Sequence, residues 1–117
     1  MRRDFDLIRL ILFDLEGNNS IDFSDYSKDK MNYHKALIVE AGLAEGAPHY
    51  PSSHKTDIPD FVSIKRLTWE GHEFIDKSRN DSVWNKSKII IAEKGLSISC
   101  DVIKHVLTEV TKNIFKF

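Results

Sequence analysis

Two short stretches decide how this sequence folds: EAGLAEG at residues 40–46 and RLTWEGH at residues 66–72. In the first, Gly42 precedes the apolar Leu43, a pair that is typical of a helix ending and passing into extended chain. In the second, Thr68 is a good N-cap with an acidic residue in the turn that follows, so this stretch predicts the start of another helix. Together they predict a helix, a segment that runs out and back, and a further helix.

The segment between the two stretches has the composition of a hairpin. From Glu45 to Asp60 it is punctuated by prolines, a glycine and serines, which mark an extended loop or a hairpin tip. Residues 61–67 then alternate the apolar Val62 and Ile64 with polar residues, as a strand with one buried face does. The sequence therefore predicts a β-hairpin with a long, proline-punctuated tip.

Apolar residues at three- and four-residue spacings predict helices on both sides of this hairpin. Before it, one helix covers residues 4–16 and a second covers residues 27–41, and alternation over residues 21–23 between them predicts a very short edge strand. After it, three more helices are predicted, one of them over residues 83–94. The isoleucine run at residues 89–91 favours a strand equally.

Composition limits the chain of 117 residues to one ordinary globular domain. Its 17 Lys plus Arg and 18 Asp plus Glu give a net charge of −1, which speaks against a strongly polybasic nucleic-acid binder but allows a local basic face. The single cysteine, Cys100, permits no intramolecular disulfide, and no stretch is a good signal peptide or long enough to span a membrane. We expect a cytoplasmic, mainly helical α+β protein.

The order of these elements resembles a winged-helix domain. In many winged-helix regulators a Gly-Leu pair ends the recognition helix, and a Leu-Thr-x-x-Gly segment follows the second strand of the wing. Residues 42–43 and 67–71 match these two features. The resemblance implies that residues 1–76 of the single domain 1–117 form a winged-helix-like core with a β-hairpin wing, and that residues 77–117 add two C-terminal helices.

A second resemblance covers nearly the whole chain. Residues 3–9, 33–43, 66–74, 81–84 and 99–104 are similar to the domain-of-unknown-function 2513 family of small bacterial and phage or prophage proteins. This resemblance implies a phage or prophage origin, and it brings no established activity and no catalytic residues.

The winged-helix resemblance implies a regulator that binds double-stranded DNA through the second helix and the wing tip. Asn can pair with adenine and Lys can contact guanine or phosphate, although a solvated polar helix face has the same composition. The predicted contacts are Lys28, Lys30, Asn32, Tyr33, Lys35, His54 and Lys55. One departure weakens this hypothesis, because residues 24–27 are too few for the positioning helix of a helix-turn-helix.

The alternative hypothesis keeps the fold but uses it for protein–protein interaction, with a host or phage defence component as one candidate partner. The last helix has an apolar stripe that ends in aromatic residues. Such a stripe usually packs on its own domain, and winged-helix relatives often dimerise through terminal helices. The predicted interface residues, which would also serve a homodimer, are Val106, Val110, Ile114, Phe115 and Phe117.

We predict no catalytic site, no metal site and no cofactor. The five histidines include no pair at the i, i+4 helical spacing of metal ligands. Cys100 and His105 are five residues apart, which puts them on different faces of a helix. His34 lies on an apolar stripe and is predicted to be a hydrogen-bonded core or boundary residue. Trp69 and Trp84 are predicted to be structural anchors.

Overall fold

The computed structural model describes residues 1–52, 56–94 and 100–114. Those residues contain five α-helices and one two-stranded antiparallel sheet, so the predicted mainly helical α+β class is confirmed. The elements are α1 (Phe5–Glu16), α2 (Lys28–Glu40), β1 (Ala44–His49), β2 (Phe61–Leu67), α3 (Trp69–Ser78), α4 (Asp81–Glu93) and α5 (Cys100–Ile114). The chain divides into two compact units, a hairpin unit of residues 1–72 and a helical unit of residues 73–117.

Short polar side chains begin the first two helices of the hairpin unit. The Asp4 carboxylate accepts a hydrogen bond from the Leu7 amide at 3.2 Å, at the N-cap of α1. The Ser27 hydroxyl accepts one from the Lys30 amide at 3.1 Å, at the N-cap of α2. Each bond satisfies an amide that the helix itself leaves unpaired. Both helices predicted ahead of the hairpin are confirmed.

The chain between α1 and α2 contains neither a strand nor a helix. All of residues 17–27 are described, and they form turns and irregular chain. The Asp22 carboxylate accepts a hydrogen bond from the Ser24 amide at 2.8 Å, a local bond that favours a turn over strand pairing. The edge strand predicted over residues 21–23 is therefore wrong. The positioning helix of a helix-turn-helix is also absent from residues 17–27.

The stretches at residues 40–46 and 66–72 meet at one junction. Gly42 has a φ of 75°, which suits glycine and lets α2 end there. The Thr68 amide donates to the carbonyl oxygen of Leu43 at 3.1 Å, and its hydroxyl donates to that of Gly42. The same hydroxyl accepts a hydrogen bond from the Gly71 amide at 3.1 Å and so caps α3. A Cβ at position 71 would overlap the Leu43 carbonyl oxygen, so the junction requires glycine there.

The hairpin extends from this junction, as predicted. β1 pairs antiparallel with β2, from Ala44 opposite Leu67 to His49 opposite Phe61. Side chains along both strands alternate between more and less exposed positions, as the pleat requires. α2 packs against both strands and also against α1. It is therefore covered on two sides.

The helical unit contains α4 and α5, which pack on each other. The Asn80 side chain caps α4 by accepting a hydrogen bond from the Val83 amide at 3.1 Å. The isoleucines at 89–91 lie within α4, so the strand alternative is wrong. Trp84 is buried, and its ring meets that of Phe74 edge to face with centroids 6.1 Å apart. The prediction that Trp84 is a structural anchor is confirmed.

Candidate interaction surface

The polar face of α2 that was predicted to contact DNA is partly covered. Asn32 is only 8% exposed, and its side-chain amide donates to the carbonyl oxygen of Asp60 at 3.0 Å. Because the hairpin packs on this side of α2, Asn32 does not share a solvent-exposed stripe with Lys28 and Lys35, and that part of the prediction is wrong. The side chain would have to give up its contact with the hairpin to pair with a base.

The lysines predicted to contact DNA have different surroundings. The Lys30 ammonium lies 3.2 Å from the Asp4 carboxylate and 5.2 Å from the centre of the Tyr26 ring. Its charge is thus balanced within the hairpin unit. Lys28 is exposed and Lys35 is half-buried. Of the three predicted lysines on α2, Lys28 is therefore accessible to a polyanion such as DNA, and Lys35 is partly accessible.

His34 connects α2 to the start of α1. Its side chain is fully buried, Nε2 accepts a hydrogen bond from the Asp4 amide at 2.9 Å, and Nδ1 donates to the carbonyl oxygen of Lys30 at 2.8 Å. These two bonds require a neutral imidazole with its proton on Nδ1. Burial lowers the pKa of His34 and outweighs the opposing effects of the Lys30 carbonyl and the Asp4 charge. The predicted hydrogen-bonded core histidine is confirmed.

The end of the hairpin opposite the junction exposes aromatic rings. Phe61 is 54% exposed, and its ring stacks on the His49 imidazole with centroids 4.7 Å apart and planes within 9°. His49 Nδ1 lies 2.8 Å from Asp60 Oδ1, and this hydrogen bond lowers the pKa of Asp60. We call His49, Tyr50 and Phe61 the aromatic end of the hairpin.

Tyr50, 39% exposed, lies in a negative electrostatic environment. The pKa of its phenol is raised, first by partial burial and then by the carboxylates of Glu40 and Asp57. Tyr33 of α2, one of the predicted DNA contacts, acts on Tyr50 in the same direction. A phosphate contact needs a positive potential, whereas the carboxylates that act on Tyr50 create a negative one.

Trp69 is the most exposed large apolar side chain among the described residues, at 76%. The prediction that it is a structural anchor is wrong. The buried Phe74 and Ile75 lie five and six positions further along α3, which at 100° per residue puts them more than 100° around the helix from Trp69. The position of Trp69 around the helix, relative to these apolar residues, could have predicted from the sequence that it is exposed. The preference of large aromatic residues for burial concealed it.

The interface predicted on the last helix is not exposed where the structure describes it. Val106 and Val110 are 6% and 3% exposed, because α5 packs against α4. Both side chains are therefore occupied by contacts within the chain, and the docking or homodimer role predicted for them stays a prediction. The remaining predicted contacts lie outside the described residues or side chains: Ile114, Phe115, Phe117, His54 and Lys55.

The described residues contain no group of three or more His, Cys, Asp or Glu side chains placed to hold a metal ion. None of the helices they form is long and apolar enough to cross a membrane. What the described surface offers chemically is a set of exposed aromatic rings, with carboxylates beside the aromatic end of the hairpin.

These features define the class as a small, mainly helical α+β protein in which a hairpin separates the helices. The chain belongs to the family described as Hypothetical protein (DUF2513), whose model matches residues 2–97. The family resemblance carried by the sequence is thus confirmed. An uncharacterized protein of Haemophilus influenzae is 39% identical over 113 residues, covering 91% of this chain and 92% of that relative. No solved structure matches the chain significantly.

Proposed function

We propose that this chain is a non-enzymatic protein-interaction module that contacts its partner through the exposed aromatic residues of the hairpin unit. The observation that carries the proposal is the exposure of Trp69, Phe61 and Tyr50, at 76%, 54% and 39%. Tryptophan and tyrosine are enriched among the residues that dominate binding energy at protein interfaces, and large aromatic side chains are otherwise mostly buried.

The charge of the hairpin unit supports the same proposal. Residues 1–72 contain nine Lys plus Arg and twelve Asp plus Glu, so their net charge is −3 with neutral histidines. A negative unit is repelled by the phosphate backbone, whereas protein interfaces place no such demand on net charge. The burial of Asn32 and the ion pair between Lys30 and Asp4 also count against DNA binding, because neither side chain is free to contact a base or a phosphate.

DNA binding by a winged-helix-like regulator is the second candidate function. The order of a helix, a capped second helix and a hairpin supports it, as does the exposed Lys28 in the first turn of α2. The missing positioning helix counts against it. The phage or prophage association stays a prediction, and the genes neighbouring this one would test it. An adjacent divergent promoter favours the regulator, and an anti-defence locus favours the interaction module.

The interaction module is tested by quantitative affinity capture from a lysate of the producing organism. The bait is the full chain, beside a Phe61→Ser, Trp69→Ser variant. Ile89→Ser, which removes another exposed apolar side chain from α4, is the matched control. We expect one stoichiometric partner that the control retains and the double variant loses. Capture of no partner, or equal capture by both variants, would contradict the proposal.

The regulator is tested by fluorescence titration of the full chain on mixed-sequence duplexes at low salt. Under the interaction-module proposal, no duplex binds even at low salt at protein concentrations up to about 100 μM, a concentration at the weak end of non-specific affinities at physiological salt. Submicromolar binding that weakens with salt and is lost in Lys28→Ala, Lys35→Ala would instead establish the second candidate. Thr111→Ala, a change of uncharged side chain in α5, controls for handling.

A further inference from the structure

We propose that the aromatic end of the hairpin docks a basic, extended segment of a partner protein, whose arginine or lysine side chains lie against Tyr50 and Phe61. This inference rests on the protein-interaction function proposed above and names the chemistry of the partner.

The rings are suited to cationic side chains. One face of Phe61 is held by the stack with His49, yet the residue stays 54% exposed, so its ring presents a fixed surface. Tyr50 is the next residue after His49 and is also exposed. Guanidinium and ammonium groups are attracted to the faces of aromatic rings, and an ordered ring loses less conformational entropy when it binds.

Carboxylates beside these rings supply the complementary charge. Glu40 and Asp57 are exposed and both act on the Tyr50 hydroxyl, while the side chain of Asp60, next to Phe61, is 47% exposed. Carboxylate oxygens are the strongest acceptors that a protein offers to arginine or lysine. A basic segment therefore gains ring contacts and ion pairs at the same place.

The arginine of β2 does not cancel this field. Arg66 lies at the opposite end of the strand from Phe61 and forms two hydrogen bonds to the Glu45 carboxylate, at 3.1 and 2.7 Å. The net charge of −3 for residues 1–72 already includes every lysine and arginine of the unit. The same field that attracts a basic segment repels a nucleic acid.

The test is a fluorescence-anisotropy titration of the full chain against a labelled twelve-residue peptide of alternating arginine and serine. We expect saturable binding, with changes in the NMR signals of the Tyr50 and Phe61 rings. Glu40→Gln, Asp57→Asn should raise the dissociation constant by about tenfold, since the variant loses two ion pairs that each contribute a modest amount and keeps the ring contacts. The control Glu16→Gln, Asp25→Asn makes the same change in net charge at exposed carboxylates elsewhere and should leave binding within about twofold.

Several results would overturn the inference. Equal weakening in both variants would mean long-range charge attraction. Equal binding of a peptide with norleucine in place of arginine would mean apolar docking. Saturable shifts of the Tyr50 and Phe61 signals on titration with duplex DNA alone would mean a nucleic-acid site. Absence of any peptide binding, with a partner still captured through Phe61 and Trp69, would remove this inference alone, whereas failure of the capture experiment removes the proposed function itself.

Discussion

The buried polar side chains of the two units form hydrogen bonds that span different distances along the chain. In the hairpin unit, Asn32 and His34 bond to backbone groups 28 and 30 residues away, so each joins α2 to another element. In the helical unit, the hydroxyls of Ser78 and Ser87 donate to carbonyl oxygens three and four residues earlier in their own helices. A bond between elements fixes tertiary structure, and a bond within a helix does not. In the hairpin unit, buried polar side chains therefore hold elements together.

The largest effect should come from His34→Ala. The change removes two hydrogen bonds, leaves the Asp4 amide without its buried partner and opens a cavity, so we expect the free energy of unfolding to fall by about 3 kcal/mol. Urea denaturation followed by circular dichroism measures it, with hydrogen exchange of α2 amides to locate the loss. His72→Ala, at an exposed histidine, is the control. A loss as small as that of the control would show that His34 does not connect α1 and α2.

A smaller loss, about 2 kcal/mol, is expected for Asn32→Leu. Leucine keeps the volume but leaves the Asp60 carbonyl oxygen without its donor at the contact between α2 and the hairpin. The matched control is Asn85→Leu on the exposed side of α4, which should change stability by no more than about 0.5 kcal/mol. If the two leucine variants unfold at the same urea concentration, the contact between Asn32 and the hairpin contributes nothing.

The sequence predicted the interactions between residues close together in the chain, and it did not predict those between distant residues. The N-cap bonds of Ser27 and Thr68 join each side chain to an amide three residues further on, and the sequence predicted both helix starts. The bonding of Asn32 and His34 depends on atoms 28 and 30 residues away, so no local pattern marks Asn32 as buried. The sequence placed His34 on a buried stripe, but it could not identify the Asp4 amide as the partner.

The candidate site was predicted less well than the fold. Polar composition predicted a DNA-contacting face on α2, but composition does not reveal which side of a polar helix another element covers. The exposure of Trp69 could have been found from helical phase. The effect of the Glu40 carboxylate on Tyr50 arises only when the hairpin folds back on α2, so the sequence could not supply it.

Acidification should weaken the hairpin unit through His34. Burial lowers the pKa of His34 in the folded chain, so the unfolded chain binds the proton more readily and the stabilisation is complete only above the unfolded pKa of about 6.5. The free energy of unfolding should therefore fall as the pH drops from 7 to 5. His34→Gln should flatten this dependence, measured by urea denaturation at each pH. The pKa values of the Asp22 and Asp60 carboxyl groups are lowered from 3.8 in the folded chain. These two groups therefore titrate below pH 5 and do not contribute to the change between pH 7 and 5. Identical pH profiles for the two proteins would contradict the assignment.

The smallest effect is expected for Ser87→Ala in the helical unit. The hydroxyl bonds the Val83 carbonyl oxygen, which α4 also pairs through its backbone, and alanine is the better helix former. Stability should change by no more than about 0.5 kcal/mol. A loss above that of Asn32→Leu, measured in the same urea series, would erase the difference between the two units.

The proposed function requires the hairpin unit to present an aromatic, negatively charged surface to a protein, and not a helix that reads DNA. A single NMR experiment separates these two roles: the isotope-labelled full chain is titrated separately with the arginine–serine peptide and with a mixed-sequence duplex at the same ionic strength. We predict that the peptide shifts the signals of Tyr50 and Phe61 in a saturable manner and that the duplex leaves Lys28 and Lys35 unchanged. Saturable shifts at Lys28 and Lys35 with the duplex, and none at Tyr50 and Phe61 with the peptide, would contradict it.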